Sequence, residues 1–109
     1  MSRPRYGWWP YIKSMIRRYP QLRSTPDEGL SAVDRREYDA VRQAVDETMQ
    51  LPGGDARLGV IELMFWRRSH TLEGAAAAVH VSERTARRYH TDFIRLVAKK
   101  YGLLEQVGL

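Results

Sequence analysis

The sequence has no cysteine. That excludes a disulfide framework, a cysteine-ligated zinc or iron–sulfur site, and a thiol nucleophile. No apolar run approaches the ~20 residues of a membrane span. The N-terminal residues lack the apolar core and small-residue cleavage site of a secretory signal. Internal repeats and low-complexity tracts are missing as well. Acid is absent from residues 1–23, which carry six bases. These gaps lead to the expectation of a cytoplasmic protein without membrane attachment.

What is present suits one compact domain: 109 residues, 43% of them hydrophobic, enough to bury a core without a covalent or metal staple. The formal charge is +5 and the pI is near 9.9, which points to an anionic partner, nucleic acid ahead of membrane. Charge is segregated. Residues 24–54 hold three bases against seven acids, and residues 55–109 hold nine against six. Of the 18 bases, 15 are Arg, whose planar fork matches phosphate and guanine. A GC-rich genome would raise the arginine share equally well.

The hydrophobic pattern predicts helices and no strand. Residues 9–19 form the first, with Pro10 at its start and Ile12, Met15, Ile16 and Tyr19 at helical spacing; Pro20 is expected to stop it. Residues 1–30 thus read as a basic, aromatic helix with its linker, and residues 31–109 as the helical domain. A second helix should begin after Ser31 and run to about Leu51, burying Tyr38, Val41, Val45 and Met49 and leaving Glu37 and its charged neighbours solvated. Pro52-Gly53-Gly54 breaks the chain. Asp55 is expected to cap a third helix that is apolar nearly all round and therefore central.

Residues 71–100 fit a helix-turn-helix. Thr71 caps the first helix, Ala75, Ala76 and Val79 face inward, the turn falls at His80, Val81 fills the corner and Ser82 caps the second helix. Ala86, Tyr89, Phe93 and Leu96 or Val97 form the inner face of that helix. All these positions fall where two helices crossing at ~90–120° need them. His80 stands where glycine is usual, and His tolerates the left-handed region better than most residues. Outward, Arg84, Arg88, Thr91, Arg95 and Lys99 follow helical steps on one side, with Arg87 beside them. Ser82, Glu83, Arg84, Arg87, Arg88 and Thr91 lie where side chains reach base edges in the major groove. Arg95, Lys99 and Lys100 are expected at phosphate. The plainer alternative is an amphipathic helix with a solvated basic face.

The stretch Ile61-Glu62-Leu63-Met64-Phe65-Trp66-Arg67-Arg68, followed by His70-Thr71-Leu72-Glu73-Gly74-Ala75-Ala76 and His80-Val81-Ser82-Glu83-Arg84-Thr85-Ala86-Arg87-Arg88-Tyr89-His90-Thr91-Asp92-Phe93-Ile94, resembles phage and prophage transcription regulators of the RinA/ArpU type. The C-terminal half of those proteins looks like region 4 of sigma-70 factors. Trp8-Trp9-Pro10-Tyr11-Ile12-Lys13 and Glu37-Tyr38-Asp39-Ala40-Val41 are similar to the same family. The resemblance implies an all-α bundle with a C-terminal sigma-region-4-like helix-turn-helix and an N-terminal helix. It also implies sequence-specific double-stranded DNA binding that activates late phage genes in the bacterial host cytoplasm, with DNA read by Ser82, Glu83, Arg84, Arg87, Arg88 and Thr91. RNA polymerase and a second copy of the chain are candidate partners.

Other chemistry is weaker. His70, His80 and His90 are spaced so that no two form a one-turn metal pair, and His90 reads as a helix-surface residue close to phosphate. No carboxylate pair shows burial that would tune an acid. No enzyme, metal or cofactor is expected. A DNA-packaging component such as a small terminase subunit is the main alternative; the DNA-binding part of a recombinase is another. The segment around residues 8–19 reads as core packing, as a dimer or polymerase contact through Trp8 and Trp9, or as a phosphate grip through Arg3, Arg5, Lys13 and Arg17.

Overall fold

The computed structural model describes residues 7–103, which contain α1 (Trp9–Arg23), α2 (Ala32–Met49), α3 (Gly54–Ile61), α4 (Leu72–Ala78) and α5 (Glu83–Tyr101). A short 3-10 turn, Asp27–Gly29, joins α1 to α2, and α3 runs on into a π-helical turn, Glu62–Trp66. No strand occurs among the described residues, and the fold is a small all-α bundle. Side-chain oxygens start three of the helices. Ser31 caps α2 in a reciprocal box with Asp34, Thr71 caps α4, and Ser82 caps α5, each satisfying a backbone N–H that lacks an intrahelical partner. Glycine starts α3 instead: Gly53 holds φ 74° at its cap, and Asp55 lies in the first turn. A Cβ on Gly54 would meet the Met49 carbonyl oxygen at 2.7 Å, so α3 leaves α2 at a spacing only glycine permits.

Pro20 does not end α1, which continues to Arg23. Proline removes the N–H that would bond the carbonyl four residues back. That carbonyl belongs to Ile16, and it accepts instead from the Trp66 indole N–H at 2.7 Å. A tertiary donor thus replaces the missing helical one.

The buried stripe of α2 is rotated from the expected one. It consists of Glu37, Ala40, Val41, Ala44 and Thr48, while Met49 is 51% exposed. Glu37 is 2% exposed because its carboxylate has two partners on α1. Arg18 Nη1 donates to it at 2.6 Å and the Tyr11 hydroxyl donates to its other oxygen. Arg18 also reaches Asp34 at 3.0 Å. The hydrogen bond to Glu37 holds the Tyr11 phenol well above its ordinary pKa, since losing that proton would set two anions together.

The core has two parts. The larger joins Ile12, Met15, Ile16 and Tyr19 of α1 with α2, Ile61 and Phe65, and the C-terminal half of α5. The smaller joins Val60, Ala75, Ala76 and Ala86, flanked by Leu63, Val79, Val81 and Tyr89. The π turn bridges them: Met64 touches both, Leu63 the smaller, and Phe65 and Trp66 the larger. A wider turn spreads consecutive apolar side chains over both sides of the chain. The central helix is α5, which packs on each of the other four. The apolar run of α3 flanks it.

Candidate nucleic-acid interface

The site starts from a short helix of seven residues, the last four of them alanine. Ala75 and Ala76 are buried against Val60 and Ala86, and their small size lets α4 approach α3 and α5 closely. A Cβ on Gly59 of α3 would lie 2.8 Å from Val79, which shows how tight that approach is. The end of α4 is closed by two backbone bonds, Val81 N–H to the Ala76 carbonyl at 3.0 Å and His80 N–H to Ala77 at 3.2 Å. This 6→1 and 5→2 pattern requires a left-handed residue between them. His80 supplies it at φ 63°. Val81 packs into the smaller core cluster, Ser82 accepts from the Thr85 N–H at 3.0 Å, and α5 leaves in a new direction. The expected helix, turn, helix order is present.

On α5 the inner face comprises Ala86, Phe93, Ile94, Val97 and Ala98, all buried. The outer face carries the residues singled out from the sequence. Ser82, Glu83, Arg84, Arg87, Arg88, Arg95 and Lys99 are exposed, and Thr91 is half-buried at the edge of the row. Among the described residues Arg84, Arg88, Arg95 and Lys99 form no ion pair, whereas Arg87 pairs with Glu83 at 3.1 Å. Both partners of that pair are at least half exposed, so solvent leaves it weak.

Two side chains stand elsewhere than expected, and a third had no expected role. Lys100 is not free for phosphate: its Nζ sits 2.7 Å from Glu47 and ties α5 to α2, and that hydrogen bond lowers the Glu47 pKa. His90 is half-buried rather than free on the helix surface. Its ring stacks on Phe65 with centroids 5.3 Å apart, and burial, with the Lys13 charge, pushes its pKa down to about 4. Arg57 was not anticipated at all. It donates to the Pro52 carbonyl at 3.1 Å and to Asp92 at 3.3 Å, with its guanidinium 4.6 Å from the Tyr89 ring centroid. It thereby fastens α3 to α5 and engages the acid one turn before Arg95. No local sequence signal marks it, because all three partners are distant in the chain or outside its helix.

His70 contacts the Ser69 hydroxyl and His80 occupies the turn, so the three histidines lie in three separate settings. Among the described residues no cluster of His, Asp and Glu is arranged to hold a metal ion, and no helix is long and apolar enough to cross a membrane. Arg3 and Arg5 lie outside the described residues. Comparison with protein-family models, curated proteins and solved structures returns no match.

Proposed function

We propose that the chain binds double-stranded DNA sequence-specifically and regulates transcription, as an activator of late phage genes of the kind its sequence resembles. One observation carries the reading: on the side facing away from the core, the helix that follows a left-handed turn presents Arg84, Arg88 and Arg95 exposed and, among the described residues, without ion-pair partners. A helix so placed fits the major groove. Arg84 and Arg88 supply planar donor forks for guanine edges, with Ser82, Glu83, Arg87 and Thr91 around them. Arg95 and Lys99 lie farther along and meet phosphate, which positions the helix without reading sequence. RNA polymerase and a second protomer are the proposed protein partners.

Selection of bound duplexes from a random pool tests this. A shared motif is expected, and symmetry within it would indicate two protomers on one site. Arg84→Ala or Arg88→Ala should relax one base position at a cost of about 1–3 kcal/mol, while Lys99→Ala should weaken all duplexes equally. Recovery of random sequence by the wild-type chain, or an unchanged motif in both arginine variants, would overturn the reading. Assembly into a closed ring in solution would favour a packaging role instead.

A further inference from the structure

We infer that α1 forms a second phosphate-binding ridge beside α5, through Lys13 and Arg17, so that the DNA backbone is held from one flank of the reading helix. The inference deepens the proposed DNA-binding function and rests on it. The cations on the two long sides of α1 differ in whether they are paired. On the side facing α2, Arg18 is engaged by Asp34 and Glu37 at 3.0 and 2.6 Å. On the side facing α5 and the π turn, Lys13 and Arg17 form no ion pair among the described residues, although Arg17 is the immediate neighbour of Arg18.

Placement follows from the rings between the helices. The Arg17 guanidinium carbon stands 5.8 Å from the centroid of Phe65, and Phe65 stacks on His90 of α5. Lys13 lies near enough to His90 to disfavour its protonation. Both cations therefore border the Phe65–His90 stack, one turn of α5 away from Arg87. Lys13 is half-buried and Arg17 exposed, and a lysine stem can lie on apolar surface while its ammonium reaches solvent. No acidic residue occurs on α1. The opposite flank of α5 differs: there Glu47 and Asp92 are interspersed with Arg57, Arg95 and Lys99. The α1 flank thus offers positive charge with no acid on its own helix next to the arginine row, whereas on the α2–α3 flank Glu47 and Asp92 offset part of the charge of Arg57, Arg95 and Lys99. A polyanion seated on α5 is drawn toward α1.

The test measures salt dependence of binding to a labelled random-sequence duplex. Neutralising two phosphate contacts in Lys13→Gln/Arg17→Gln should flatten the slope of log K against log salt by about two units and weaken binding on the order of 50-fold at 0.1 M salt, with base preference unchanged. The double variant Arg35→Gln/Arg42→Gln removes the same net charge from α2 and should move the slope far less. If the first pair fails to fold by circular dichroism, the exposed Arg17→Glu alone should reduce the slope by at least one unit. A slope equal to that of the α2 control overturns the ridge and leaves the DNA reading standing. Absence of duplex binding by the wild-type chain brings down both.

Discussion

Replacing Trp66 by Phe removes one hydrogen-bond donor while keeping an aromatic ring in place. The native ring lies 5.4 Å from Tyr19 and 6.5 Å from Phe93, centroid to centroid, and its N–H serves the Ile16 carbonyl at 2.7 Å. Ile16 is fully buried, and Pro20 denies its carbonyl the helical donor. A buried acceptor stripped of its partner costs about 1–3 kcal/mol. For a domain of this size that corresponds to a fall in Tm of roughly 5–20 °C. Pro20→Ala changes the outcome, because an alanine at that position has an N–H aimed at the same carbonyl. In that background Trp66→Phe should cost at least ~1 kcal/mol less than in the native one. Urea unfolding of the four proteins, followed by far-UV circular dichroism, gives the coupling. Effects that add to within about 0.5 kcal/mol would refute the claim that the indole stands in for the helical donor.

Two further outcomes follow from the left-handed turn and the stacked histidine. His80→Gly should stabilise the chain by about 0.5–1 kcal/mol, because glycine adopts φ 63° without a Cβ penalty; an equal or lower urea midpoint would show that the His80 side chain contributes something else. The imidazole of His90 titrates at about 4 in the fold against an ordinary 6.5. The unfolded chain then binds more protons between those values, so stability is fully present above 6.5 and declines as pH falls toward 4, by roughly 3 kcal/mol in all. His90→Phe keeps the stack and should remove most of that decline; an identical pH profile in the variant would count against burial as the cause.

Features set by neighbours in the chain were legible before the structure. Thr71 and Ser82 cap helices through oxygens that reach only three residues on, the helix start after Ser31 is equally local, and Pro52-Gly53-Gly54 breaks the chain whatever surrounds it. The position of His80 follows from the same local logic. Features set by distant partners were not legible. Glu37 looks like any solvated glutamate until Arg18 and Tyr11 approach from another helix. Pro20 looks like a stop until a tryptophan 46 residues on donates to the carbonyl that the proline leaves without a helical donor. The apolar run at residues 61–66 signals burial from all sides, but periodicity does not show that the helix widens there. The arginine row on α5 was visible as a stripe; that Arg84, Arg88 and Arg95 form no ion pair among the described residues while Lys100 has one depended on where α2 lies.

A single rod of 19 residues serves as the shared wall of both apolar compartments. Its arginine-bearing end grips the alanine helix, and its far end is clasped by α1 and α2. Loosening in either compartment must therefore tilt the same row of guanidinium groups. Slow amide exchange along this rod should track whole-chain opening rather than local fraying, which makes the geometry of the charged row as durable as the fold itself.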